Sequence, residues 1–301
     1  MKIVCLMENT LGNELCQTEH GLSLYIETGN RAILADTGAS GLFLENAEKL
    51  GVDLSKVEAV FLSHGHYDHG GGILEFQRIN PTAKIVMQKK ALGDFWHKST
   101  LTEKYIGLDP KMKELTNLLL LEGDGIYHKK SQSLSCIKET WKGKSDLEKQ
   151  EKDDIYIFIL NTEVQKELKC WPEGNLVLKE KVGDDYIQDC FVHEQYIVIQ
   201  EAGLRILISG CAHNGILNIL DEYRRKYSKN PDVIISGFHM RRKSGYQEKD
   251  IEIIKETAME LKGTGILCYT GHCTGEEPYQ WMKEIMGEQL QYIHCGDCIE
   301  F

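Results

Sequence analysis

Between positions 64 and 69 the chain reads His-Gly-His-Tyr-Asp-His, three imidazoles and a carboxylate within six residues. His64 and His66, two apart, can point toward one cation, while Asp68 and His69, displaced along the turn, can serve a second. Zinc accepts N and O ligands at about 2.0–2.2 Å, and two-metal hydrolases hold their ions about 3.5–4 Å apart. The spacing predicts a dinuclear metal centre, against the plainer reading of a polar surface turn rich in histidine. Farther on, His239 stands beside Arg241, Arg242 and Lys243, a dense basic run next to a loop. Guanidinium groups pair with phosphate oxygens, so this run is expected to steer a substrate phosphate while His239 contacts the reacting group. An ordinary solvated loop is the alternative. Cys295-Gly-Asp-Cys298 has zinc-knuckle spacing but no second pair like it, and is read as structural thiols.

These residues need elements that place them. Leu22 to Glu27 and Arg31 to Ala35 read as strands about a turn at Thr28-Gly29-Asn30, and Gly41 to Leu50 has helical spacing. A buried strand, Ala59 to Leu62, then delivers the histidine cluster at its carboxyl end, before a Gly run and a helix near Ile73 to Gln77. Lys84 to Met87 is another strand. From about 97 to 188 periodicity weakens, and Lys138 to Asp154 is crowded with charge, so this stretch is read as an insertion with one strand at Ile155 to Leu160. Tyr196 to Gln200 and Arg205 to Ser209 form a hairpin about Ala202-Gly203, followed by a helix from Gly215 to Lys226. Strand Asp232 to Ser236, helix Ile251 to Leu261 and strand Gly265 to Tyr269 complete a βα series, whose strands end in Gly237-Phe238-His239 and Gly271-His272-Cys273. Trp96, Trp141, Trp171 and Trp281 show no base-stacking pattern and are read as packing residues.

The chain has 301 residues, with 42% hydrophobic and 27% charged, which is enough apolar surface for a core and excludes disordered and fibrous classes. A net charge of −11 repels phosphate backbones and anionic lipid, so neither nucleic acid nor membrane is an expected partner. The apolar stretch at the start is broken at Glu8, too early for a secretory signal, and no segment approaches the ~20 apolar residues of a membrane span. A cytoplasmic protein is expected, and its ten cysteines are read as thiols or metal ligands.

Ser63-His64-Gly65-His66-Tyr67-Asp68-His69 resembles the HxHxDH signature of the metallo-β-lactamase superfamily, and Leu34-Ala35-Asp36-Thr37-Gly38 resembles the Asp-bearing turn that precedes it. More narrowly, Glu19-His20-Gly21-Leu22-Ser23, Gly210-Cys211-Ala212-His213-Asn214-Gly215, Gly237-Phe238-His239 and Gly271-His272-Cys273-Thr274-Gly275 resemble the branch of 7,8-dihydropterin-6-yl-methyl-4-(β-D-ribofuranosyl)aminobenzene 5′-phosphate synthase-like hydrolases. The resemblance covers the chain apart from the long insertion. It implies a single α/β domain over 1–301, an αβ/βα sandwich of two mixed sheets flanked by helices, with metals held by loops at one edge. Carried over by position, His64 and His66 hold the first metal, Asp68 and His69 the second, and His272 completes the second. Where most of the superfamily has a bridging Asp after a strand, this chain has Gly210-Cys211. A thiolate can take that place, since a metal deprotonates a coordinating thiol; the alternative is a small buried Cys211 beside a ligand His213. His213 is the candidate for the remaining first-metal ligand, with His193 competing. Asp36 is expected to orient a ligand histidine by accepting its second N–H, with a simple turn cap as the alternative. Glu19 and His20 line the mouth by resemblance alone.

The expected function is a dinuclear metal-dependent hydrolase of an ester-type bond, a phosphodiester or phosphorylated small molecule, acting through a metal-activated hydroxide, with Asp68 orienting the nucleophile or accepting the proton that the bound water gives up. Two divalent ions are expected, zinc first, with manganese or iron as alternatives. Two other readings stand beside it. One is a synthase-like transferase that uses the same metals on a diphosphate leaving group. The other is a metal-binding sensor or interaction protein without turnover.

Overall fold

A computed structural model describes residues 1–29, 31–128, 130–136, 154–160, 168–243 and 245–301. Asn30 of the expected hairpin turn, positions 138–153 of the charged run and Trp141 lie outside the described residues. The chain divides into two compact units, one of 1–122, 176–189 and 293–301, the other of 123–175 and 190–292.

In the first unit, apolar strands build a seven-stranded mixed sheet. Its order is Cys298–Glu300, Lys2–Met7, Ser23–Thr28, Arg31–Ala35, Val57–Phe61, Lys84–Gln88 and Leu118–Leu121. Neighbours are antiparallel up to Arg31–Ala35 and parallel beyond it. Arg31–Ala35 is buried at every position, as a central strand covered on both faces must be. Helices Leu42–Lys49 and Ile73–Ile79 supply Phe43, Ala47, Ile73 and Phe76 to the core around Leu34, Val60 and Ile85. A second sheet of four antiparallel strands, Asp185–Gln188, Leu178–Val182, Phe95–Lys98 and Glu103–Tyr105, was not expected.

The second unit has an eight-stranded mixed sheet in the order Ser133–Cys136, Gly125–His128, Ile155–Phe158, Tyr196–Glu201, Leu204–Ile208, Val233–Ile235, Leu267–Thr270 and Leu290–Tyr292. The last four strands run parallel. Helices Ile216–Tyr227, Glu248–Thr264 and Glu276–Met286 close a core that includes Phe158, Tyr196, Leu207, Ile234 and Cys268. Helix Glu248–Thr264 starts with reciprocal capping between Gln247 and Asp250 and stops at Gly265, whose φ of +72° ends it. The stretch read as an insertion supplies strands to all three sheets: Leu118–Leu121 to the first, Glu103–Tyr105 and Leu178–Val182 to the small sheet, Gly125–His128 and Ile155–Phe158 to the second unit. Among the described residues no helix is long and apolar enough to cross a membrane.

Candidate metal centre

In the first unit the histidine cluster leaves the carboxyl end of parallel strand Val57–Phe61, where open α/β sheets present their functional loops. Tyr67–Gly70 forms one helical turn, and the glycines after it have a packing reason. A Cβ on Gly71 would stand 2.1 Å from the Ala39 carbonyl oxygen, and one on Gly72 2.4 Å from that of Thr37. The 37–39 backbone thus packs directly onto the turn, and Thr37 N donates to the His69 carbonyl at 2.7 Å.

His64, His66, Asp68 and His69 are all buried. The His64 ring centroid lies 4.6 Å from that of His66 and 4.2 Å from that of His69. Asp36, at φ +61°, points its carboxylate into this turn. Its Oδ2 accepts from His69 Nδ1 at 2.6 Å and from Ser63 Oγ at 2.7 Å, while Oδ1 accepts from Ser63 N at 2.7 Å. A carboxylate can only accept, so His69 carries its proton on Nδ1. Ser63 spends its hydroxyl proton on Asp36, so the 2.9 Å contact to His64 Nδ1 must be donated by the histidine. Both rings therefore present the lone pair on Nε2.

His20 Nε2 lies 3.3 Å from Asp68 Oδ2, the imidazole 45% exposed and the carboxylate 12%. Glu19 binds backbone instead: it accepts from the N–H groups of Ala39 and Ser40 and from Ser40 Oγ, pinning the turn that carries Thr37 and Gly38. A buried acid that the sequence did not single out, Asp189, places Oδ2 4.0 Å from His66 Nε2.

In the second unit, Cys211, His213, His239 and His272 all follow the carboxyl ends of adjacent parallel strands. His213 is buried, its ring stacked on Phe191 with centroids 4.3 Å apart and 4.1 Å from the His239 ring. Its Nδ1 meets Asn175 Oδ1 at 2.8 Å, while Asn175 Nδ2 donates to the His213 carbonyl at 2.7 Å. That second bond fixes the amide orientation, so His213 also donates from Nδ1 and keeps its lone pair on Nε2. Glu194, fully buried, accepts from His213 N, Asn214 N, Asn214 Nδ2 and Tyr196 Oη. Burial raises its carboxyl above the ordinary value, against the pull of the Asn214, Tyr196 and His213 donors. His193, the competitor of His213, is buried near Phe191 with ring centroids 5.9 Å apart.

The ligand atoms of Cys211, His213 and His239 lie within 4.8 Å of one another, as do those of Cys211, His272 and Cys273. Burial alone lifts the Cys273 thiol, but hydrogen bonding with Cys211 and His239 and the nearby His272 and His239 charges outweigh it and set the thiol well below its usual value. Arg242 is committed to Asp250, to which its Nε donates at 2.9 Å, whereas Arg241 is exposed. Asn175, Asp189 and Glu194 escaped the sequence reading because nothing in their local spacing distinguishes a buried polar residue from a surface one.

The C-x2-C thiols sit in opposite environments, Cys295 buried and Cys298 exposed. Burial pushes the Cys268 thiol up to about 12, and burial with the neighbouring Cys16 does the same for Cys295. Since the thiolate is the nucleophile, brief alkylation of the native chain at about pH 8 is expected to modify the exposed Cys136, Cys190 and Cys298 and to spare Cys268 and Cys295. Peptide mapping by mass spectrometry reads this out, and equal labelling of Cys268 and Cys298 would contradict it.

Residues 17–157 match the model of the metallo-beta-lactamase superfamily. The chain is 28% identical over 303 residues to an uncharacterized protein of Methanocaldococcus jannaschii, with 99% of each chain covered. It is 26% identical over 319 residues to the 7,8-dihydropterin-6-methyl-4-(beta-D-ribofuranosyl)-aminobenzene-5′-phosphate synthase of the same organism, covering 100% of this chain and 97% of that one. Among solved structures, a metal-dependent hydrolase of the beta-lactamase superfamily superimposes with a TM-score of 0.75 at 23% identity, over 100% of this chain and 99% of that one. A metallo-beta-lactamase fold protein from Bacillus subtilis gives 0.52 at 14% identity, over 99% and 98%. The two large mixed sheets flanked by helices are those of this fold, and the His/Cys groups are chemically suited to hold a divalent metal. The histidine motif, the matched segment and the fold agree: residues 17–157 match the metallo-beta-lactamase superfamily, and the chain has the metallo-beta-lactamase fold.

Proposed function

We propose that the chain is a hydrolase that holds two divalent ions and cleaves an ester-type bond in a phosphorylated small molecule, with a phosphodiester as the first choice. One observation carries the reading: His64 and His69, in one turn, and His213, in another loop, each have the Nδ1 proton committed to an acceptor and so offer Nε2 as a metal-binding lone pair. The assignment follows the family motif, which names His64, His66, Asp68 and His69 in the first unit and Cys211, His213 and His272 in the second as ligands. This imidazole, carboxylate and thiolate set fits zinc first, and manganese or iron by the same donors.

When bound, two such ions supply a nucleophile at neutral pH and counter-charge for a developing oxyanion. The chain's own part is to move the proton. Asp68 Oδ2 accepts it and the half-exposed His20, 3.3 Å away, passes it to solvent. Arg241 and Arg242 are assigned to the substrate phosphate, Arg242 sharing its guanidinium with Asp250.

The test is metal analysis of chain reconstituted with zinc, manganese or iron, together with turnover of bis-p-nitrophenyl phosphate. The wild-type chain is expected to bind two ions and hydrolyse the ester, and His66→Ala to lose about 100-fold or more in rate. Equal activity in the variant, or a wild-type chain that takes up no metal, would overturn the proposal. The whole-length similarity to a relative named as a synthase favours a second reading, in which the same ligands serve departure of a diphosphate. Diphosphate release from a dihydropterin diphosphate plus an aminobenzene riboside phosphate, without phosphodiester turnover, would select it.

A further inference from the structure

Three neighbouring parallel strands of the second unit are in step: Ile208 pairs with Ile235, and Ile235 with Tyr269. Their outgoing loops therefore start level on one sheet edge, which brings Cys211, His239 and Cys273 together although they are far apart in sequence. The His239 backbone N–H donates to Cys273 Sγ at 3.3 Å, and that sulfur lies 3.5 Å from the Cys211 carbonyl oxygen. A Cβ at Gly237 would stand 2.4 Å from Cys273 Sγ, so the sulfur occupies space that only glycine leaves open. Each loop also holds one non-glycine residue in the left-handed region, Ala212 at φ +53°, His239 at +50° and His272 at +51°. Such residues cost of order 1–3 kcal/mol each and persist where the surroundings over-determine them, commonly at functional sites.

We propose that Cys273 joins Cys211 as a pair of thiolate donors which, with His239 and an imidazole from His213 or His272, hold one divalent transition ion at this sheet edge. An S2N2 set of this kind suits tetrahedral zinc or cobalt(II) and discriminates against hard ions such as magnesium. The amide donated to sulfur by His239 stabilises the charge that develops as each thiol gives its proton to solvent on binding. In this arrangement His239 is a ligand rather than a substrate contact. The inference rests on the proposed metal-binding role of Cys211 and adds to it the second sulfur and a fourth loop residue.

The test uses the full chain loaded with cobalt(II), read by thiolate-to-cobalt charge-transfer absorption, metal per chain and the sulfur shell in X-ray absorption. Wild type is expected to show charge transfer and two sulfurs per chain at about 2.3 Å. Cys273→Ser is expected to lose about half of that absorption and to bind at least about 10-fold more weakly, while His66→Ala keeps the band. An unchanged band in Cys273→Ser, or one sulfur per chain in the wild type, overturns the inference and leaves the proposed hydrolase standing. Conversely, full phosphodiester turnover in His66→Ala with a halved band in Cys273→Ser would end the hydrolase reading and keep the thiolate pair. The sulfur count on wild-type chain decides the matter even if the serine variant fails to fold.

Discussion

Asp36→Asn is expected to weaken metal binding by about 100-fold while lowering folding stability by only about 1–3 kcal/mol. The native carboxylate takes three donors, from His69 Nδ1, Ser63 Oγ and Ser63 N. An asparagine has one accepting end. If its oxygen stays on Ser63 N, its NH2 faces His69 Nδ1 and Ser63 Oγ. His69 must then accept at Nδ1 and carry its proton on Nε2, the nitrogen required for a cation. Ser63 Oγ, now accepting, turns its own proton toward His64 Nδ1 and drives a second ring into the same tautomer. If the amide flips instead, its NH2 opposes the Ser63 N–H, and that conflict is the stability term. Asparagine tolerates the left-handed φ of +61°, so the backbone survives the exchange. Competition titration against a chelator measures the first quantity and urea unfolding the second. Unchanged affinity would remove Asp36 from the support of the metal ligands.

Glu194→Ala should have the largest effect on stability, about 3–5 kcal/mol out of the 5–15 kcal/mol that typical domains possess. Its carboxylate is the common acceptor for His213 N, Asn214 N, Asn214 Nδ2 and Tyr196 Oη, and all of these residues are buried. Removing it strands several donors where water cannot replace them, and each uncompensated group costs about 1–3 kcal/mol. Glu194→Gln should recover part of the loss, because its oxygen can still meet His213 N while its NH2 opposes the Asn214 donors. The loop from Ala212 to Gly215 is held by these bonds, so His213 loses its place along with the stability. Urea midpoints for both variants give the ordering; an alanine variant within about 1 kcal/mol of wild type would contradict it.

Local signals made the strands and helices of the two large sheets legible. Continuous apolar runs mark Arg31–Ala35, Lys84–Gln88 and Tyr196–Glu201, and 3.6-residue spacing marks Ile216–Tyr227; the structure places each within a residue or two of its expected bounds. The small four-stranded sheet was illegible for the same physical reason. Phe95–Lys98 and Glu103–Tyr105 are three or four residues long and largely half-exposed or exposed, so they carry no apolar pattern to read. The stretch from about 97 to 188 therefore resembled an insertion although its strands pair into the sheets.

The candidate ligands could be named because their density is a property of short segments: three histidines and an aspartate in six residues need no partner to be noticed. What those side chains do depends on groups brought in from elsewhere. His69 meets Asp36 across 33 positions, and His213 meets Asn175 across 38. Residue types and spacing thus determined which atoms are available for chemistry. Tertiary structure alone decided which nitrogen of each ring holds the proton, and which buried acid or amide holds the ring, because a hydrogen bond depends on proximity in space and leaves no trace in local sequence.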